Sequence, residues 1–122
     1  MKACFGLLFF CLAFTLHAQS DLNTALGKGD VAGISSYLGS KVELAIGQNE
    51  GTVTKAEAET RLKEFFASHA AKGFKAMHSG TSKSNDSTYS IGELTTANGT
   101  FRVYVLYTQQ GSSKQVTELR IE

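Results

Sequence analysis

Apolar residues recur with a helical period in the first half of the chain. A short helix is predicted to be capped by Ser20 or Asp21 and to end near Gly27-Lys28-Gly29. A second helix begins after Asp30 and ends at Gly39. Its apolar face consists of Val31, Ile34, Tyr37 and Leu38.

A longer helix is the clearest element of the sequence. Thr54 and Glu57 have the spacing of a capping box, in which each side chain accepts a hydrogen bond from the other residue's backbone N–H. We expect this helix to run to about Ala70 or Ala71. Its buried side carries Ala58, Leu62, Phe65, Phe66 and His69, and its exposed side carries the i,i+4 pairs Glu57–Arg61 and Glu59–Lys63.

Alternating apolar positions predict strands in the rest of the chain. One strand covers 42–46, before the long helix, and four follow it at roughly 74–79, 88–96, 100–108 and 115–121. Asn98-Gly99 predicts a two-residue hairpin turn, which would place Leu94 opposite Val103. A three-residue loop over 111–113 would place Val105 opposite Leu119 and Val103 opposite Ile121.

These registers sort the side chains onto two faces of a sheet. The inner, apolar face carries Leu94, Phe101, Val103, Val105, Tyr107, Leu119 and Ile121. The outer face carries the rows Thr95/Arg102/Glu122, Glu93/Tyr104/Arg120 and Ile91/Leu106/Glu118. The order of elements predicts an α+β fold, with helices packed on one face of a curved antiparallel sheet.

The first 18 residues have the features of a secretory signal peptide. Lys2 precedes the uncharged stretch 3–16, and Ala18 is a small residue directly before a polar segment. The stretch is too short to span a bilayer, which takes about 20 apolar residues. We therefore expect cleavage after Ala18, an exported protein that is periplasmic or secreted, and no membrane association after cleavage.

Composition narrows the classes of function. Apolar residues make up 42% of the chain and charged residues 19%, as in an ordinary globular domain, and residues 19–122 are predicted to form one. The 12 basic and 11 acidic side chains give a formal charge of +1, so no nucleic-acid partner is indicated. Cys4 and Cys11 would leave with the signal, which excludes thiol chemistry from the exported domain.

Candidate chemistry on the inner face is sparse. His69 and His78 have no HxxxH spacing or carboxylate cluster near them, so no metal and no cofactor is expected. Binding of a small apolar ligand or of a protein partner would suit this face better than catalysis by proton transfer would. The simpler alternative is a filled core without a pocket. The pocket candidates are Tyr37, Phe65, His69, Val105 and Tyr107. No catalytic residue is assigned; the alternative is a cavity-type isomerase, dehydratase or hydrolase that uses His69 and Tyr37.

The outer face has more apolar area than a fully solvated face requires. We expect it to form a homodimer interface, with Ile91, Arg102, Tyr104, Leu106 and Arg120 as the interface candidates. In the alternative, solvated face, Arg120 lies along the Tyr104 ring and pairs with Glu93.

Several segments resemble a known bacterial family. They are KAEAE (55–59), GFKAMHSG (73–80), YSIGELTT (89–96), NGTFRVY (98–104) and LRIE (119–122). The chain resembles the domain-of-unknown-function family numbered 4783 over essentially all of residues 19–122. That family of short secreted or periplasmic proteins resembles the nuclear-transport-factor-2-like (cystatin-like) superfamily. The resemblance implies a cone-shaped α+β fold, a cavity between helix and sheet and often a dimer, but it carries over no catalytic residue.

Overall fold

Three helices and six strands follow one another along the chain. The computed structural model describes residues 18–81, 87–110 and 113–122. The helices are α1 (Ala18–Lys28), α2 (Val31–Ser35) and α3 (Lys55–Ser68). The strands are β1 (Leu38–Ile46), β2 (Asn49–Thr54), β3 (Ala71–Thr81), β4 (Ser87–Thr96), β5 (Gly99–Gln110) and β6 (Ser113–Ile121).

The six strands form one curved, unclosed sheet in the order β2-β1-β6-β5-β4-β3. Neighbouring strands are antiparallel except β1 and β6, which run parallel. All three helices contribute to one apolar core with the inner face of the sheet, so the predicted fold class is confirmed. The predicted inner face is correct: its members are buried apart from Phe101, which is half-buried.

The first two helices differ from prediction at their ends. Helix α1 covers Ala18–Lys28, so Ser20 and Asp21, predicted to precede it, lie within its range. Asp30 caps α2 as expected, because its Oδ1 accepts a hydrogen bond of 3.1 Å from the Gly33 N–H. Helix α2 ends at Ser35, since Leu38 pairs with Val116 of β6 and therefore belongs to β1.

Strand β2 was not predicted. It pairs with β1 from Lys41–Thr54 to Ile46–Asn49, at one edge of the sheet. Val53 is its one buried residue, so the strand has no apolar alternation from which it could be recognised.

The capping box of α3 is confirmed. The Glu57 N–H donates to Thr54 Oγ1 at 3.2 Å, and the Thr54 N–H donates to Glu57 Oε1 at 3.0 Å. The helix ends at Ser68, earlier than predicted: His69 has non-helical backbone angles, and Asn98 Nδ2 donates to the free Ser68 carbonyl at 2.7 Å. The i,i+4 ion pairs are absent from the described residues: Glu57 serves the capping box, and Glu59 accepts a hydrogen bond of 2.6 Å from Ser35 Oγ.

The β4–β5 register differs from prediction by two residues. Leu94 lies opposite Phe101 rather than Val103, and Ala97 and Asn98 are the central turn residues. Thr96 fixes this turn: its Oγ1 donates to the Gly99 carbonyl at 2.8 Å and accepts from the Asn98 N–H at 3.1 Å. Because side chains alternate with period two, the offset leaves every residue on its predicted face.

The β5–β6 register is confirmed where it was predicted. Val105 lies opposite Leu119 and Val103 opposite Ile121. The hairpin nevertheless differs, because Gln110 pairs with Ser113, so the connecting loop is residues 111–112, which lie outside the described residues. A bulge at Thr117 accommodates the extra residue.

Candidate functional site

His69 lies at the C-terminal end of α3, where its ring packs against two phenylalanines. Its half-buried ring stacks on Phe65, with centroids 4.5 Å apart and an interplanar angle of 7°, and it meets Phe101 edge-on at 5.3 Å. Its Nδ1 lies 3.1 Å from the Phe65 carbonyl oxygen and 3.1 Å from Ser68 Oγ. These contacts hold the imidazole against the end of the helix.

Tyr37 and Tyr107 lie together at the other end of the inner face. Tyr107 pairs with Val116 of β6, and the Val116 N–H donates to the Tyr37 carbonyl at 2.8 Å. Tyr107 stands six residues beyond Phe101 on β5, which corresponds to about 20 Å. The structure therefore brings Tyr37 close to Tyr107 and not to His69, so the His69–Tyr37 pair that the alternative, enzymatic interpretation requires is absent.

The Tyr107 hydroxyl is a buried polar group without a partner. Only 2% of the residue is exposed, and within 18–81, 87–110 and 113–122 no atom forms a hydrogen bond with the hydroxyl. Burial raises the pKa of Tyr107 well above the ordinary value for tyrosine, and the nearby Tyr37 raises that pKa further. The hydroxyl therefore stays protonated at neutral pH and is available as a hydrogen-bond donor.

The remaining pocket candidates belong to the packed core. Val105 is 2% exposed and Phe65 is 7% exposed. One other buried polar atom is unpartnered among the described residues, Nη1 of Arg61, beside a depression of about 200 Å³ lined by Ile46, Asn49, Glu64 and Phe65. In the described parts of the chain no group of acidic, histidine or cysteine side chains is arranged to hold a metal ion.

Arg120 is the centre of an ion-pair cluster on the outer face. Its guanidinium lies 3.1 Å from Glu118, 3.3 Å from Glu50 and 3.6 Å from Glu122. The Arg120–Glu93 pair of the alternative, solvated face does not form, because the two-residue offset places Glu93 opposite Arg102. Glu50 could not be foreseen, since it comes from the unpredicted strand β2.

Two tyrosines and a methionine give the outer face exposed apolar area. Tyr89 and Tyr104 stack with centroids 6.1 Å apart and an interplanar angle of 15°. Met77 is 56% exposed, at an irregularity in the β3–β4 pairing between Ala76 and His78. Partial burial raises the pKa of Tyr104, Glu118 and Tyr89 raise it further, and Arg120 opposes the shift.

Two shallow depressions meet in the middle of this face. One, of about 390 Å³, has Met77 and Glu93 in its wall, and the other, of about 330 Å³, has Tyr104 and Arg120. Both are lined by Arg102 and Glu122. Arg102 forms no ion pair within the described residues, so its guanidinium is a cationic group without an acidic partner there.

No helix among the described residues is both long and apolar enough to cross a bilayer.

The chain is similar in sequence and in structure to known proteins. Residues 19–122 match the family described as Domain of unknown function (DUF4783). The crystal structure of a DUF4783 family protein from Bacteroides uniformis superposes with a TM-score of 0.80 at 30% identity, over 87% of this chain and 96% of that chain. A second, from Bacteroides fragilis, is 35% identical with a TM-score of 0.76, over 83% of this chain and 93% of that chain.

The fold extends beyond that family. An NTF2-like protein from Cytophaga hutchinsonii has a TM-score of 0.62 at 15% identity, over 85% of this chain and 90% of that chain, a likeness of fold alone. No curated protein matches the chain in sequence.

Proposed function

Because the chain belongs to the DUF4783 family, whose domain has no assigned function, we propose from its own sequence and geometry that it is an exported, non-catalytic binding module for a small apolar ligand. The ligand would lie at the Tyr107 end of the inner face, between the helices and the sheet. The observation that carries this proposal is the Tyr107 hydroxyl, buried and without a hydrogen-bond partner in the described structure.

A ligand oxygen would explain the unpartnered hydroxyl. A buried donor left unsatisfied costs about 1–3 kcal/mol, so native proteins rarely keep one without a function. Tyr107 belongs to the hydrophobic core cluster, and Tyr37 packs against that cluster. Ligand sites are typically apolar with one or a few polar groups that fix orientation. A largely apolar molecule with one carbonyl, ether or hydroxyl oxygen fits this combination.

Binding fits these groups better than catalysis does. A general base needs a pKa near the working pH, whereas the pKa of Tyr107 is shifted upward and away from it. His69 is packed against Phe65 and Phe101, about 20 Å from the Tyr37–Tyr107 end by strand length. An isomerase, dehydratase or hydrolase built on His69 and Tyr37 would need these two residues side by side.

Export rests on the character of residues 1–18. The intact mass of the protein recovered from its host tests this part separately. We expect the mass of residues 19–122, beginning at Gln19. Retention of residues 1–18 would contradict export with cleavage and would leave the ligand proposal standing.

Native mass spectrometry of the protein purified from its own host tests ligand binding. We expect a bound mass that organic solvent releases, and a reduced bound fraction in Tyr107→Phe, which removes only the hydroxyl oxygen. Tyr89→Phe is the matched control, because Tyr89 is 37% exposed on the outer face. A wild-type protein without bound mass, or an equal bound fraction in Tyr107→Phe, would contradict the proposal.

A further inference from the structure

Arg61, on α3, has a buried N–H group without a hydrogen-bond partner. Its Nη1 atom is fully buried, and no atom among the described residues accepts a hydrogen bond from it. Arg61 also forms no ion pair within residues 18–81, 87–110 and 113–122. A buried charged donor without an acceptor is strongly unfavourable, so this atom points to an acceptor that lies outside the described chain.

The acidic residues about one turn to either side of Arg61 do not neutralise it. Glu57 accepts a hydrogen bond of 3.0 Å from the Thr54 N–H, as part of the capping box. Glu64 is exposed and forms no ion pair in the described part of the chain, although it lines the same depression as Arg61. The depression therefore has one cation and one carboxylate that do not pair with each other.

This depression lies between α3 and the turn that joins β1 to β2. Ile46 and Asn49 flank that turn, pair with each other and line one side. The other side is lined by Arg61, Glu64 and Phe65 of α3. Its volume of about 200 Å³ equals that of about seven water molecules at about 30 Å³ each, which suits a molecule as small as one amino acid.

We propose that this depression binds a free α-amino acid with a small apolar side chain. The guanidinium of Arg61 presents a planar fork of N–H groups, which matches a carboxylate in charge and geometry. The Glu64 carboxylate accepts from the ammonium group, and Ile46 and Phe65 provide apolar surface for the side chain. Asn49 adds an amide with both donor and acceptor groups.

A ligand with both charges fits the lining better than a ligand with one. A simple anion at Arg61 would lie in the same small depression as the Glu64 carboxylate, which repels it. A simple cation at Glu64 would leave Nη1 of Arg61 without an acceptor. The zwitterion of an amino acid satisfies both groups at once.

This site is separate from the ligand site proposed at Tyr107. Ile46 pairs with Ile121 of β6, which pairs with Val103 of β5. Tyr107 stands four residues beyond Val103 on β5, which corresponds to about 13 Å. The two proposals therefore rest on different residues and on ligands of different chemistry.

Isothermal titration calorimetry on the protein purified from its own host tests the proposal with three probes. L-leucine carries both charges, isocaproate is leucine without the ammonium group, and isopentylamine is leucine without the carboxylate. We expect L-leucine to bind at least about tenfold more tightly than either analogue, since each analogue loses a hydrogen bond between charged groups.

Variants assign the two charges to their residues. Arg61→Gln should weaken L-leucine binding at least about tenfold, and Arg61→Lys should restore part of it, because an ammonium keeps the charge but not the fork. Glu64→Gln should bind L-leucine and isocaproate equally. Lys63→Gln is the matched control, because it removes an exposed cation from the same helix and should bind as wild type does. Circular dichroism checks folding; if Arg61→Gln does not fold, Glu64→Gln, at an exposed position, decides the test.

Three results would overturn the proposal. The first is no heat of binding with L-leucine at millimolar concentration. The second is equal affinity for L-leucine in wild type and in Arg61→Gln. The third is isocaproate bound by wild type as tightly as L-leucine, which would leave Glu64 without a role. None of these results bears on the apolar ligand at Tyr107, which is measured as a bound mass that Tyr107→Phe reduces.

Discussion

Gly92→Ala tests how closely β3 packs against β4 at the inner face of the sheet. Gly92 is buried, opposite Ala76 on β3 and Val103 on β5. A Cβ atom at this position would overlap Cζ of Phe74 and would lie 2.6 Å from the carbonyl oxygen of Lys75. The Phe74 ring could rotate, but the Lys75 carbonyl belongs to the paired backbone of β3, so the strand itself would have to move.

Two opposing effects determine how much Gly92→Ala changes the free energy of unfolding. Overpacking of a core costs about 1–3 kcal/mol, whereas replacing glycine by alanine within a strand otherwise gains about 0.5–1 kcal/mol. We therefore expect Gly92→Ala to lower the free energy of unfolding by about 1–2 kcal/mol. For a domain of this size, that corresponds to a fall of about 5–15 °C in Tm.

Gly80→Ala is the matched control on the same strand pair. There the new Cβ would lie 2.6 Å from the ring of Tyr89, which stacks on Tyr104 but is 37% exposed, so a surface side chain and not the backbone would have to move. We expect a change within about 0.5 kcal/mol. Urea and thermal unfolding followed by circular dichroism measure both variants. Wild-type stability in Gly92→Ala, or an equal loss in both variants, would refute the packing argument.

Three other predictions concern single contacts and pH. Thr54→Ala should lower the free energy of unfolding by about 1 kcal/mol in urea, and Thr54→Ser should restore it, because the hydroxyl caps α3. Asn98→Ala should lower the free energy of unfolding by about 1 kcal/mol, because the Ser68 carbonyl loses its donor. Asn98→Asp should lower it at least as much, because a carboxylate is repelled by the C-terminal end of the helix. Wild-type stability in both variants would contradict the contact. Tyr104 and Tyr107 have pKa values raised above 10.0 in the folded protein, so their stabilising contribution is complete below pH 10 and is lost as pH rises through the folded values. Urea midpoints measured from pH 9 to 11 should therefore fall less in Tyr107→Phe than in wild type.

The sequence determined those features that depend on neighbouring residues or on period. The capping box of α3 and the Asp30 cap of α2 involve residues three positions apart, so their hydrogen bonds form wherever the local helix forms. Alternation along β4, β5 and β6 assigned each side chain to the correct face. That assignment holds despite the two-residue error in the β4–β5 register, because an even offset leaves the faces unchanged.

Contacts between distant segments were decided only in the tertiary structure. The Asn98-Gly99 pair predicts a turn at those two residues, yet Thr96 and the contact from Asn98 to Ser68 of α3 shift the turn back by one residue. Leu38 continues a helical pattern, but its pairing with Val116, far along the chain, makes it part of β1. Local propensity is worth only tenths of a kcal/mol per residue, so such pairing overrides it.

For the candidate sites too, the sequence determined which face each residue lies on, and the tertiary structure determined which residues meet. Periodicity identified Tyr107 as inward-facing and Tyr104 and Arg120 as outward-facing, since a strand allows only two directions. It could not show that Tyr37 approaches Tyr107 instead of His69, because the distance between residues on different elements depends on how those elements pack. Periodicity also could not show that Glu50 forms an ion pair with Arg120, because β2 becomes recognisable as a strand only through its pairing with β1.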